Sequence, residues 1–311
     1  MQIPLRLDLE ITRKCKYKCH VCSVRATDEE YVEVSLEDFK NKIHEFWLLG
    51  GAEISITGGE PTERGIDFLA DLISYSSALN LKVRMYTVGY GIQNQKQVEI
   101  LAKSGLNTAI VSLEGDKSVD ELYKGISGSY EVAIRAIQLF RSEDIEVIIH
   151  FTPTRINYEY FSHVVEIAKL YDVAGIRVMP FVAQGRGWDN RQFLNLDEDE
   201  LNHFVDSLKD LREKNKDIIF QISGFFDKGI KIAGHSETCA LNKKRLVVTS
   251  DGFLIPSLAL RMYKENSVPR SDFNLGKIEE KSIIDAWDSF IMTYSRNSSS
   301  GCGICPPCAK D

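Results

Sequence analysis

Six times between Leu5 and Met179 the sequence passes from a short β-rich run into an apolar pattern of helical period. The runs are Leu5 to Ile11, Ala52 to Thr57, Leu81 to Thr87, Thr108 to Leu113, Ile145 to Phe151 and Gly175 to Met179. Between them, Leu36, Phe39, Ile43 and Phe46 recur at helical spacing after Ser35-Leu36-Glu37-Asp38, a helix start, and Gly50-Gly51 ends the element. Phe68, Leu69, Leu72 and Ile73 form the next helical face, and Val98, Ile100 and Leu101 belong to the one after. A long loop after Leu113 leads to Val132, Ile134, Ile137 and Leu139; then come Phe161, Val164, Val165 and Ala168, and finally a helix from Leu201 to Leu211. Strands alternating with helices of this length predict an α/β fold, a parallel sheet with helices outside it. Six units fit a partial (β/α)6 TIM-like barrel better than the eight of a closed one.

From about Gly224 the pattern changes. Lys244 to Thr249 and Phe253 to Pro256 read as a hairpin turning at Ser250-Asp251-Gly252, followed by a polar stretch with Pro269 and a helix from Lys281 to about Ser295. Asn297 to Gly301 then forms a loop. The expected division is a barrel over residues 1–223 and a small C-terminal α+β extension over residues 224–311.

In such a barrel the working residues lie at the C-terminal ends of the strands. The first strand ends at Cys15-Lys16-Tyr17-Lys18-Cys19-His20-Val21-Cys22, the second at Gly58-Gly59-Glu60-Pro61, the third at Tyr86 to Gly89 and the fourth at Ser112-Leu113-Glu114-Gly115. The fifth ends near Thr152 to Asn157 and the sixth at Pro180 to Gly187. Most glycines at such places serve tight turns. Glu60, after a glycine pair, is expected to face the same mouth as the cysteines.

The chain has seven cysteines: Cys15, Cys19 and Cys22 in a C-x3-C-x2-C array, Cys302, Cys305 and Cys308 in C-x2-C-x2-C, and Cys239 between. The start Met1-Gln2-Ile3-Pro4 is not a signal peptide and no apolar run reaches the length of a membrane span, so a cytoplasmic protein is expected. There, clustered cysteines point to metal or redox chemistry rather than disulfides. Three thiolates on one loop can hold three corners of an iron–sulfur cube and leave one iron open; a zinc site lacking its fourth ligand and reduced structural cysteines are the alternatives. A net charge of −7, with no block of Lys and Arg, argues against nucleic acid as a partner.

The three-cysteine loop after the first strand and Gly-Gly-Glu-Pro after the second resemble the radical S-adenosylmethionine (SAM) enzymes. The resemblance implies that Cys15, Cys19 and Cys22 ligate a [4Fe–4S] cluster whose open iron chelates SAM. Reductive cleavage then gives methionine and a 5′-deoxyadenosyl radical that abstracts hydrogen from a substrate. It further implies that Gly58, Gly59 and Glu60 hold the methionine amino group, with Ser112 and Glu114 near the ribose or carboxylate; Ser112 also suits a turn cap. Val21 departs from the aromatic residue usual before the third cysteine, which loosens the adenine contact.

The C-terminal region resembles the SPASM/Twitch extension that carries auxiliary clusters. The matching features are Cys239, a twelve-residue interval, Gly252, then Asn274-Leu275-Gly276-Lys277-Ile278 and Ile284-Asp285-Ala286-Trp287. Ser257 stands where that pattern has a cysteine. Four remaining cysteines exclude two further clusters and suit one auxiliary [4Fe–4S] cluster on Cys239, Cys302, Cys305 and Cys308; a four-cysteine zinc site, or Ser257 in place of one thiolate, are the alternatives.

If all seven cysteines are ligands, none is left to donate a hydrogen atom, and the auxiliary cluster serves as an electron acceptor in an oxidation. Candidate bases on the rim are Glu114, Asp116, His150 and Asp189. Arg155 and Arg186 are candidates to bind a carboxylate or phosphate, Gln184-Gly185-Arg186-Gly187 reads as a substrate loop or a surface turn, and His20 as a neighbour of the cluster. The leading reading is oxidative modification, such as cross-linking, of a ribosomally made peptide, with a flavodoxin or ferredoxin as reductant. Because the sequence opens directly on the first strand, no separate peptide-recognition domain is expected ahead of it. The alternatives are a dehydrogenase or epimerase of a sugar or aminocyclitol in natural-product biosynthesis, and a non-catalytic iron–sulfur or zinc protein.

Overall fold

The computed structural model describes residues 3–27, 29, 32–222, 244–258 and 274–295. Each of the six expected strands forms within a residue or two of its run: β1 (Arg6–Thr12), β2 (Glu53–Gly58), β3 (Lys82–Thr87), β4 (Thr108–Ser112), β5 (Glu146–Phe151) and β6 (Gly175–Val178). They stand side by side in sequence order, all parallel. Because right-handed crossovers between consecutive neighbours put every helix on the same face, the sheet curls into an incomplete barrel.

That single covered face explains the residue alternation. Leu7, Leu9 and Ile11 of β1 are fully buried against the helical layer, together with Ile54, Ile56, Val83, Met85, Val111, Ile149 and Ile176. The intervening positions, Arg6 and Asp8 of β1 among them, line the opposite, inner face. The helices are α1 (Leu36–Leu48), α2 (Ile66–Ala78), α3 (Gln95–Ser104), α4 (Lys117–Lys124), α5 (Ser129–Arg141), α6 (Phe161–Leu170), the short α7 (Arg186–Asp189) and α8 (Arg191–Leu194), and α9 (Glu198–Lys214). Ser35 caps α1 by accepting from the Asp38 amide, and Phe39, Ile43 and Phe46 fill the buried stripe. Asp197 and Glu200 close a capping box on α9.

Besides the short α7 and α8, two elements depart from the sequence expectation. The loop foreseen after Leu113 contains α4, capped by Asp116, whose side chain accepts from the Val119 amide at 2.9 Å. Its polar composition, Lys117-Ser118-Val119-Asp120-Glu121, hid a helix that buries Asp120 and Lys124 as well as Val119 and Tyr123. A seventh parallel strand, β7 (Ile219–Ile222), adjoins β6 after α9. Four residues at a half-covered edge, with Ile219 61% exposed, carry too little alternation to signal a strand.

The hairpin is present as β8 (Arg245–Val248) and β9 (Leu254–Ile255), turning at Gly252, whose φ is +84°. Its first strand pairs in parallel with β1, Arg6 opposite Arg245 and Leu9 opposite Val248, so the hairpin extends the main sheet. The sheet thus runs β7-β6-β5-β4-β3-β2-β1-β8-β9. The last helix, α10 (Ile283–Ser295), buries Ile283, Ala286, Trp287 and Phe290 in the same core as α1. Glu45 of α1 accepts from the Ile283 amide at 2.7 Å, and Lys42 donates to the Lys281 carbonyl at 3.0 Å.

Candidate active site

One cavity of about 400 Å³ opens inside the curled sheet, in the size range of small-molecule sites. Its wall takes in Cys15, Cys19 and Cys22, the Gly58-Gly59 turn, the ends of β3 to β6, and Arg245 of β8.

The cysteine loop is held by backbone and by the side chains of Arg186 and Asn190. The Cys15 amide donates to the Thr27 carbonyl at 2.7 Å, and the Thr27 amide returns a bond to Arg13 at 3.0 Å, so the loop closes on itself. Arg186, at the start of α7, reaches across it. Its Nε donates to the Cys19 carbonyl at 3.0 Å and Nη1 to the Ala26 carbonyl at 2.6 Å, with Nη2 3.5 Å from the Tyr17 carbonyl. The Arg186 amide donates to the Cys22 carbonyl at 2.9 Å, and Asn190 Nδ2 to the His20 carbonyl at 3.1 Å. Gly185 before it has φ +55°, and a Cβ there would stand 2.5 Å from the Cys22 carbonyl oxygen. The stretch Gln184 to Gly187 is therefore a clamp on the cysteine loop, and Arg186 has its guanidinium engaged by carbonyls.

The glycine pair has an equally direct cause. The Gly59 amide donates to the Thr12 carbonyl at 2.7 Å and the Glu60 amide to the Lys14 carbonyl at 2.8 Å. A Cβ on Gly58 would come within 2.2 Å of the Thr12 oxygen, and one on Gly59 within 2.2 Å of the Lys14 oxygen. Only a backbone without side chains can lie so close to the segment that leads into Cys15. Glu60 is fully buried and does not line the cavity. Its Oε1 accepts from Thr62 Oγ1 and Thr87 Oγ1, both at 2.7 Å, and its Oε2 from the Val88 amide at 2.7 Å. The carboxylate thus ties the end of β2 to the end of β3. Burial pushes its pKa up while these donors pull it down.

Of the other sequence candidates, Ser112, Glu114 and His150 line the cavity. Glu114 accepts from the Thr152 amide at 3.1 Å, and burial pushes its carboxyl up to about 8, with Lys124 opposing. His150 is pushed down to about 3 by burial and by Arg177, so its imidazole is neutral at physiological pH. Its Nδ1 is buried with no hydrogen-bond partner among the described residues. Asp116 is spent on capping α4, Asp189 pairs with Arg25 at 2.7 Å on the outside, and Arg155 pairs with Glu200 at 2.8 Å; none of the three reaches the cavity. Val21 lines it and His20 does not.

Sequence reasoning missed several lining residues. Lys124 of α4, 1% exposed, donates to the Ser112 carbonyl at 2.9 Å and pairs with Asp120 at 2.8 Å. Arg6 and Asp8, Tyr86, Arg177 and Arg245 come from inner positions of β1, β3, β6 and β8. The signal was there: charged residues alternating with apolar ones in strands covered on their other face mark a polar barrel interior.

The three thiols suit an iron–sulfur cluster in chemistry and placement. All are soft donors on one loop at the cavity wall. Burial and the neighbouring thiols push Cys19 up, against Lys124 and Arg186, and burial raises Cys15 to about 12, so these sulfurs gain most from a cation that displaces their protons. Among the described residues no three Cys, His, Asp or Glu side chains close on a point for a single metal ion. Cys239, Cys302, Cys305 and Cys308 lie outside the described residues.

A sequence profile of the Radical SAM superfamily matches residues 9–170, which contain the cysteine loop, the glycine pair and Glu114. The chain belongs to the radical SAM superfamily. Among its relatives in this superfamily, the AdoMet-dependent heme synthase of Oleidesulfovibrio alaskensis is 29% identical over 205 residues, 64% of this chain and 52% of that protein. The PqqA peptide cyclase of Rhodopseudomonas palustris is 24% identical over 194 residues, 62% of this chain and 51% of that protein. The chain thus spans about half the length of the curated relatives it matches. The fold is also that of Streptococcus suis SuiB bound to S-adenosylmethionine, with a TM-score of 0.75 at 19% identity, covering 96% of this chain and 68% of SuiB. SuiB bound to its precursor peptide SuiA matches at 0.73 over 92% of this chain and 65% of SuiB. Among the described residues no helix is long and apolar enough to cross a membrane.

Proposed function

We propose that this radical SAM protein cleaves SAM reductively and uses the resulting radical to oxidise a peptide substrate. The observation that carries the reading is one cavity walled by the three thiols, by the Gly58-Gly59 turn and by two titratable groups, Glu114 and His150. In this reading Cys15, Cys19 and Cys22 hold a [4Fe–4S] cluster, which when bound supplies the chelating iron and the electron for SAM cleavage. Gly58 and Gly59 leave room for the methionine end of SAM, Glu60 fixes the turn that they form, and Ser112 and Glu114 border the ribose or carboxylate. The substrate would give a hydrogen atom to the radical that bound SAM supplies, a proton to the neutral imidazole of His150, Glu114 being already protonated, and an electron to an auxiliary cluster. That cluster would sit on Cys239, Cys302, Cys305 and Cys308, in a SPASM/Twitch-type region from about residue 224.

Peptide as substrate is supported by the named activity of the PqqA cyclase and by the SuiB complex with SuiA. A second reading, a step of heme synthesis, is supported by the higher identity to a heme synthase. A flavodoxin or ferredoxin is the proposed reductant. Anaerobic reconstitution with iron and sulfide, followed by dithionite and SAM, tests the reading: 5′-deoxyadenosine and methionine are expected in equal amounts. No 5′-deoxyadenosine from iron-replete protein refutes it. Iron content of a Cys239→Ala variant checks the auxiliary cluster, which the reading requires to be lost while SAM cleavage remains.

A further inference from the structure

The cavity has more positive charge on its wall than its own carboxylates balance. Five cationic side chains line it: Arg6, Lys124, Arg177, Arg186 and Arg245. Three are accounted for. Arg6 Nε lies 2.7 Å from Asp8, Lys124 is paired with Asp120, and Arg186 is bound to loop carbonyls. The side chains of Arg177 and Arg245 have no ion pair and no hydrogen bond among the described residues, and Arg177 Nε is buried without a partner. The carboxylates on the same wall are Asp8, which Arg6 occupies, and Glu114, which is largely protonated at neutral pH.

The sheet register sharpens the imbalance. Arg6 and Arg245 are direct cross-strand partners on adjacent parallel strands, an arrangement of like charges that destabilises a sheet unless an anion offsets it. Arg177 is the register partner of His150, which burial and then Arg177 keep neutral, and it acts on Arg245 across the cavity. Burial, Arg6 and Arg177 all push the Arg245 guanidinium toward losing its proton, with Asp8 and Tyr86 opposing. Arg6 and Arg245 also stand at the starts of their strands. Six residue steps along β1, or ~20 Å of extended chain, separate Arg6 from Thr12, where the cysteine loop begins. A ligand chelated at that loop leaves the Arg6 and Arg245 guanidiniums free, whereas Arg177, in register with His150 and Ser112, stands nearer the loop.

We infer that Arg177 and Arg245, backed by Arg6, form a receptor for a carboxylate of the substrate, seated in the barrel beneath the cysteine loop. Guanidinium forks match carboxylates with two parallel hydrogen bonds, and a partly desolvated pair of them strengthens that match. This rests on the reading that the cavity admits substrate. A peptide would present an aspartate, a glutamate or its C-terminus there.

The test is equilibrium binding of glutarate and of its neutral counterpart glutaramide, followed by ligand-observed NMR on the full chain reconstituted with iron and sulfide and loaded with SAM. Glutarate is expected to bind at least tenfold more tightly than glutaramide. Arg177→Gln and Arg245→Gln are each expected to erase that preference, Arg177→Lys to keep part of it, and the SAM dissociation constant to stay within twofold throughout. Equal binding of the two probes by the wild-type protein overturns the inference without recourse to a variant. So does a preference that survives in both glutamine variants, or a loss that appears in SAM affinity instead, which would make SAM the source of the carboxylate. Production of 5′-deoxyadenosine in the same samples reports the catalytic reading separately: its absence alongside an intact preference for glutarate would refute catalysis and leave the carboxylate receptor standing.

Discussion

Replacing Arg186 by alanine should open the cysteine loop while leaving the barrel folded. Two of its bonds to loop carbonyls, at 3.0 and 2.6 Å, are well formed, and the third at 3.5 Å is marginal. Hydrogen bonds to a charged group contribute ~1.5–3 kcal/mol each, so the two good ones hold the closed loop by ~3–6 kcal/mol. Even the lower figure is a factor of roughly a hundred in the population of the open loop. Because Cys15 is only 6% exposed, that opening should govern how fast it meets a reagent. In iron-free protein under native conditions, alkylation of Cys15 by a maleimide should therefore accelerate by roughly a hundredfold in Arg186→Ala. The urea midpoint should fall by an equivalent ~3 kcal/mol, because bonds made only by the closed loop also stabilise the folded chain, while far-UV circular dichroism should stay native, since α7 lies outside the main core. Arg186→Lys should fall between the two, because an ammonium cannot fork between the Cys19 and Ala26 carbonyls. An alkylation rate within twofold of wild type, with unchanged iron uptake, would refute the clamp.

Gly59→Ala should lower both stability and iron loading, since its Cβ would meet the Lys14 oxygen at 2.2 Å; a loss at the upper end of ~1–3 kcal/mol is expected by urea denaturation. Glu60→Ala strands the Thr62, Thr87 and Val88 donors and should cost ~3–5 kcal/mol, with Glu60→Gln about half as damaging because its amide must face the Val88 N–H. Equal stability of the two variants would show that the carboxylate braces nothing. Glu114 has a folded pKa of about 8, above its ordinary 4.5, so the folded state binds the extra proton between those values and loses stability as pH rises through the window. Glu114→Gln should flatten that decline between pH 5 and 8, which urea midpoints at several pH values would check.

The barrel was legible because each of β1 to β6 leaves one face to the helices, and Leu7, Leu9 and Ile11 announce that face by alternation alone. The cysteine loop and the glycine turn were legible for a different reason: both are contiguous, and their residue types tolerate few other uses. What stayed hidden was assembled from distant positions. Asp120 and Lys124 look like solvated residues of a polar loop until Ser112 and Glu114 are brought against them. Arg186 read as a ligand-binding arginine because nothing local reveals that three backbone carbonyls occupy it. Glu60 was expected at the cavity mouth, but Thr62 and Thr87 draw its carboxylate aside. Arg177 and Arg245 carry no motif at all, and their meaning comes from strand register.

The parallel pairing of Arg6 with Arg245 also orders events in time. The first strand of the sheet waits for a neighbour more than 230 residues downstream, a contact whose loop-closure cost is met late in folding. Until β8 arrives, the outer edge of β1 presents an unpaired ladder of amides and carbonyls beside the cysteine loop, open to wrong partners. A nascent chain stalled before residue 245 should therefore be the species most prone to aggregate, and completion of the C-terminal hairpin is the step that seals the wall around the loop.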